Sequence, residues 1–160
     1  LSHLYELDPH HRLYLEASAV LAIVGLEVSH ARHHLHTYYI VRNADLVGFT
    51  DHEIELIAQI ARYHRKSEPK LQHAAFAALS EDDQHTVRML SAILRIAIGL
   101  DRTHDGRTTS ISVNQKNKSL HLILESDKNE DLDLNLYATH QRVALLADVF
   151  ECNVTVAIAN

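Results

Sequence analysis

Apolar side chains recur at helical spacing through the first hundred residues and then at every second position in two short runs, a change of period that divides the chain. Asp8 followed by Pro9 is a helix start, a side-chain acceptor ahead of a ring that lacks only a donor the first turn cannot use. Leu13, Ala17, Val20, Leu21 and Val24 then predict a helix over 9–24 with those residues inward and Gly25 as its C-terminal cap. A second helix should carry Leu35, Tyr38, Tyr39 and Val41 to the core and stop near Asn43 to Asp45. Thr50 with Glu53 is a capping box for a third, over about 51–64, with Ile54, Ile57, Ala58 and Ala61 inward. After a loop at Pro69 comes a short helical piece around Gln72 to Leu79. Ser80 with Asp83 then caps the longest helix, whose inward positions are Val87, Leu90, Leu94, Ala97 and Ile98.

Past His104, Asp105 and Gly106 the texture changes. Thr109 to Val113 and Leu120 to Leu124 alternate with period two about the polar turn Asn114 to Lys118, which predicts a β-hairpin. A single amphipathic helix over about 132–150 follows, with Leu132, Leu136, Val143, Leu146, Ala147 and Phe150 along one face, and Val154 to Ile158 is a closing strand. The expected fold is α+β, mainly α: a helical domain over 1–105 and a small ββαβ domain over 106–160.

Composition narrows the function classes. At 160 residues and 46% hydrophobic, the chain can bury a substantial core without disulfides or a structural metal. Cys152 is the only cysteine, which fits a reducing compartment and leads to the expectation of a cytoplasmic protein with a structural thiol. Apolar runs are broken well before membrane-spanning length, and no signal-peptide pattern opens the chain, so no membrane partner is expected. The start at Leu1, without a methionine, reads as a piece of a longer protein. A net charge of -6 argues against nucleic acid as a partner, because nonspecific phosphate affinity needs an excess of Lys and Arg.

Candidate chemistry concentrates between Ser29 and Lys70. His30, His33, His34 and His36 crowd one short segment, and Arg62, His64, Arg65, Lys66 and Lys70 close the stretch, so groups able to hold anions or metals bracket an apolar helix. His30 and His34 are four apart, a spacing open to metal ligation, to a buried hydrogen-bonding role, or to an anion beside a protonated imidazole. The basic run is either a solvated helix end suited to the negative pole of the dipole or a phosphate-binding segment. Asp101 and Arg102 read as a pair or cap at a helix end, and the acids from Glu125 to Asp133 as a solvated loop. No nucleophile motif, zinc spacing or glycine-rich phosphate loop is present.

Four ordered motifs carry a resemblance. Ser29, His30, His33, His34, His36 and Tyr38 come first, followed by Asn43, Asp45, Leu46, Gly48 and Phe49. Ile60 to Lys66 with Pro69 and Lys70 form the third, and Ile93 to Arg95, Ala97, Gly99 to Arg102 and His104 the fourth. Together they resemble the C-terminal part of the exopolyphosphatase and guanosine pentaphosphate phosphohydrolase family. The resemblance implies an HD-like helical domain followed by a small α/β domain, placed in relatives behind two N-terminal actin-like domains that hydrolyse phosphoanhydrides.

The departures matter equally. Where many relatives carry a His-Asp pair, this chain has Ala22 and Ile23, and Ile98 replaces a further carboxylate, leaving Asp101 of the usual ligand carboxylates. The expectation is therefore no metal site and no catalytic residue in this chain, with Mg²⁺ belonging to the parent enzyme. What remains is an accessory module that grips polyphosphate or guanosine pentaphosphate through Arg62, His64, Arg65, Lys66 and Lys70 and builds homodimer contacts. The alternatives are a purely structural dimerisation domain and, against the loss at Ala22 and Ile23, a free-standing phosphohydrolase.

Overall fold

The computed structural model describes residues 8–127 and 130–159, so Lys128 and Asn129, inside the acidic stretch read as a loop, lie outside the described residues. The chain is α+β and mainly helical, with a three-stranded sheet near its C-terminal end. It divides into two compact units between Leu94 and Arg95.

The first unit is built on α1 (Pro9–Leu21), α2 (His33–Arg42), α3 (Asp51–Arg62), the short α4 (Ala74–Ala77) and the N-terminal part of α5 (Glu81–Leu100). The Asp8 side chain accepts from the His10 amide, as the Asp-Pro start implies. Thr50 and Glu53 form the full capping box at α3, and Tyr14 of α1 donates its hydroxyl to the same Glu53, so the cap also ties two helices together. Ser80 accepts from the Asp83 amide at the start of α5. α3 is the central element: Ile54, Leu56, Ile57, Ala58, Ile60 and Ala61 are all buried. Each large aliphatic among them contributes roughly 2 kcal/mol by leaving water.

The face of α1 differs from expectation. Tyr14, Ser18 and Ala22 are buried, while Leu13 and Val20 are 45% and 80% exposed. Ser18 turns inward because its hydroxyl donates to the Ile57 carbonyl of α3, a satisfied buried polar contact that apolar periodicity does not register. On α2 the inward residues are His33, Thr37 and Val41, with Leu35 and Tyr39 exposed.

α1 also ends earlier than predicted, at Leu21, and a 3₁₀ turn over Val24–Glu27 follows. Gly25 lies inside that turn and is not a left-handed cap. A Cβ there would stand 2.1 Å from the His33 carbonyl oxygen and 2.4 Å from the Thr37 nitrogen, so the glycine exists to let two backbones touch. Thr37 completes the junction by accepting from the Gly25 amide and donating to the Ala22 carbonyl.

In the second unit, β1 (Ser110–Lys116) and β2 (Ser119–Glu125) pair antiparallel, and β3 (Asn153–Ile158) adds parallel to β2, in the order β1-β2-β3. The hairpin turn is tighter than expected, two residues at Asn117 and Lys118, with Asn117 at φ 53° supplying the left-handed step. Leu120, Leu122 and Leu124 are buried. The single helix expected before β3 is two, α6 (Asp133–His140) and α7 (Val143–Val149), because the chain leaves helical geometry at Arg142, φ -122°. Buried Asn135 on α6 bonds both Thr103 and Thr108, and Thr108 donates to the Leu100 carbonyl, which pins the loop after α5.

Candidate functional site

The basic segment begins at the end of α3, where the sequence alternates cations with groups that hold them. Arg62 lies with its guanidinium carbon 5.4 Å from the centre of the Tyr38 ring and 5.1 Å from that of Tyr63. A guanidinium on an aromatic face gains about 0.5 to 2 kcal/mol while keeping its charge. Burial pushes both phenols up to about 12, with Glu55 adding to the effect on Tyr38, so the rings stay neutral at any working pH. Tyr63 is fixed in turn by His73, its hydroxyl 2.8 Å from Nδ1 with the rings stacked, and by the edge of Phe76.

Arg65 has a different neutral partner. Its Nη1 donates to Nε2 of His33 on α2 at 2.5 Å, which requires that nitrogen to be unprotonated and places the imidazole proton on Nδ1. His33 Nδ1 is buried without a partner. Neither Arg62 nor Arg65 meets a carboxylate among the described residues, whereas nearby Arg42 is matched to Asp51 and Glu55. Lys66, exposed, takes a left-handed backbone at φ 61° as the chain turns toward Pro69, and Lys70 is exposed beyond it.

His64, which the sequence placed among the polyanion-binding cations, is a neutral core residue. It is 3% exposed, its Nδ1 donates to the Ala61 carbonyl at 2.7 Å, and its ring lies 5.1 Å from that of His33. Burial pushes it down to about 4. His34 is also pushed down to about 4, first by burial and then by His33, Arg65, Arg62 and Lys66. His34 therefore reports three cations within electrostatic reach of one imidazole.

The remaining predicted residues fall elsewhere. His30 is exposed and His36 half-buried, both near enough to His33 to lower it, after burial and Arg65. Asp101 and Arg102 are exposed just past α5, and Asp101 pairs with His104 at 3.4 Å. Sequence reading missed Tyr38, Tyr63 and His73 as the supports of the site. The available signal was Tyr63 directly beside Arg62, whereas Tyr38 and His73 have no charged neighbour in the sequence.

The described residues do not fit the divalent metal that the resemblance implies for the parent enzyme. Among the described residues no three His, Cys, Asp or Glu converge on a cation position, and Ala22 is a buried methyl whose carbonyl is spent on Thr37. Among the described residues no helix is long and apolar enough to cross a membrane.

The structure is thus a mainly helical α+β chain with a cationic segment supported by neutral rings. The chain belongs to the Ppx/GppA phosphatase family: residues 3–142 match the family described as Ppx/GppA phosphatase, domain III. It is also 31% identical over 121 residues to a guanosine-5'-triphosphate,3'-diphosphate pyrophosphatase of Pseudoalteromonas translucida (strain TAC 125). That match takes in 74% of this chain and 24% of the relative, so the chain corresponds to about a quarter of the relative's length.

Proposed function

We propose that this chain is an accessory region of a phosphoanhydride hydrolase, gripping a polyphosphate chain or guanosine pentaphosphate while N-terminal catalytic domains of the parent, with their Mg²⁺, perform the hydrolysis. The observation that carries this reading is the way Arg62 and Arg65 are held. Their supports are two phenol rings and one neutral imidazole, so both guanidinium charges remain uncompensated and pre-positioned. Arg42, by contrast, is matched to Asp51 and Glu55. Lys66 and Lys70 extend the same segment, and phosphate oxygens neutralised along it would release counterions. Titration of long-chain polyphosphate at low ionic strength tests the reading, and no measurable binding would remove it.

A second reading, a structural dimerisation domain, is favoured by one feature. Leu13 and Val20, seven residues apart on one face of α1, are 45% and 80% exposed. A sedimentation measurement that finds the native chain monomeric, or finds a dimer that Val20→Asp leaves intact, would set that reading aside.

A further inference from the structure

Nε2 of His33 accepts from the Arg65 Nη1, so its lone pair is occupied and the ring proton sits on Nδ1. The ring is 4% exposed, and that Nδ1 is buried without a partner. A buried N–H with no acceptor costs stability, so hydrogen bonding alone does not account for an imidazole in this place. Arg65, in contrast, is half-buried and open to a ligand on its outer side.

None of the groups acting on the His33 ring is acidic. His34 and His36 share its helix, the His34 ring at 6.3 Å, and His30 precedes it. From the end of α3 come Arg65 and the His64 ring, the latter at 5.1 Å. The acids of α3 are turned to other partners, Asp51 to Arg42, Glu53 to Thr50 and Tyr14, and Glu55 to Tyr38 and Arg42. Glu27 in the 3₁₀ turn and Glu68 beyond Lys66 make no ion pair with His33 among the described residues. Burial first, then Arg65, His30 and His36, hold His33 below the ordinary imidazole value.

A phosphate chain lying along Arg65 and Lys66 alters two of these conditions together. Its oxygens compete with Nε2 for the Arg65 N–H groups, and its charge offsets the repulsion that Arg65 exerts on an imidazolium. We propose that His33 is a latent cation of this segment: an anion that draws the guanidinium away from Nε2 lets that nitrogen take a proton from solvent, so anion binding and proton uptake are coupled. This coupling rests on the polyanion role proposed above and adds to it a residue that carries no charge in the free chain. The new Nε2–H points where the guanidinium lay. By reciprocity, the factor by which the anion raises the proton affinity of His33 is the factor by which the proton raises the affinity for the anion. Because His33 moves up from a lowered value on binding, affinity rises as pH falls and levels off once the unliganded ring is protonated as well. Uptake of one full proton sets the steepest dependence, about tenfold per pH unit.

The first test needs no ligand. Arg65→Met removes the donor and the charge but keeps a long side chain, and the ring ¹⁵N shifts of His33 should report a midpoint moved up toward the ordinary imidazole value. The second is titration of the whole chain with long-chain polyphosphate, whose internal phosphates keep one charge throughout the range, by calorimetry at pH 6 in two buffers of different ionisation heat. Binding should take up protons, affinity should be several-fold higher at pH 6 than at pH 7.5, and the His33 midpoint of the native chain should rise when polyphosphate is bound. His33→Gln, whose amide oxygen still accepts from Arg65, should bind at pH 7.5 and lose most of the uptake. His36→Gln, at a ring with no bond to Arg65 among the described residues, should lose little of it. A His33 midpoint that stays in place in Arg65→Met or under bound polyphosphate would overturn the coupling and leave the polyanion reading standing, as would equal uptake in His33→Gln and the native chain. Polyphosphate that binds at neither pH at low salt would remove the polyanion reading and the coupling together.

Discussion

Arg65 donates from Nη1 to Nε2 of His33, a bond that exists only while that imidazole is neutral. The cationic segment is thus anchored to α2 through a group that titrates, and the neighbouring rings of His34 and His64 share its low-polarity surroundings.

The first prediction follows from these three imidazoles. In the unfolded chain each takes up a proton near pH 6.5, whereas in the fold His34 and His64 hold out to about 4 and His33 is lowered as well. Between those limits the unfolded state binds more protons, so stability rises with pH and is lost as pH falls from 6.5 toward 4. For enclosed His64 alone the effect is on the order of 3 kcal/mol. Urea midpoints measured at pH 7 and pH 4.5 should differ strongly in the native chain. In His64→Asn, which keeps a donor for the Ala61 carbonyl but has nothing to protonate, the difference should shrink. An equal pH response in both proteins would refute the assignment.

The second prediction concerns the junction of α1 with α2. Gly25→Ala forces a Cβ into the His33 carbonyl and the Thr37 amide, backbone atoms that cannot swing aside. It should cost at least about 3 kcal/mol, a value in the tail of single-substitution effects. Thr37→Val keeps the shape but strands the Gly25 amide and the Ala22 carbonyl, at about 1 to 3 kcal/mol. Thermal melts rank the two, and a Gly25→Ala chain as stable as the native one would show that the backbones can part there.

Local rules written in a few adjacent residues were legible in the sequence, and contacts between distant ones were not. The Asp8-Pro9 start, the Thr50/Glu53 box and the Ser80 cap are each complete within four residues, and all three are present. The inward face of α1 was misread because Leu13 and Val20 form one helical stripe and Tyr14 and Ser18 a competing one. The second is buried only because α3 offers Ile57 and Glu53 as hydrogen-bond acceptors. His64 looked like one more cation because the order Arg62-Tyr63-His64-Arg65-Lys66 conceals which side chains turn into the core. The break at Arg142 has no glycine or proline to announce it. The family motifs include this segment without saying which of its members carry charge.

The third prediction is catalytic. Long-chain polyphosphate or guanosine pentaphosphate incubated with this chain and Mg²⁺ should release no phosphate above the uncatalysed rate, since the described donors do not fit a divalent cation. Phosphate release that survives repurification and vanishes in Asp101→Ala would transfer the chemistry to this chain and end the accessory reading.

The last prediction bears on the polyanion role and can be read from salt dependence. The segment has four cations, Arg62, Arg65, Lys66 and Lys70, beside one acid, Glu68, because His64 is enclosed and neutral. If all four meet phosphates of a single chain, the logarithm of the polyphosphate affinity should fall against the logarithm of salt with a slope of about 3. Arg65→Ala with Lys66→Ala should remove roughly half of that slope and weaken binding at every salt concentration. Lys116 and Lys118, exposed at the hairpin turn, supply the control, since their double alanine variant changes net charge by the same amount. A diffuse attraction toward the whole chain would treat the two pairs alike, and at a net charge of -6 it should be repulsive in any case. Tyr38→Leu sharpens the experiment, because it keeps every cation but removes one face on which Arg62 rests. Binding should weaken there with the slope nearly unchanged, the mark of lost positioning as opposed to lost charge. Equal losses for the two lysine-containing pairs would exclude a localised site and leave dimerisation as the better account of the module.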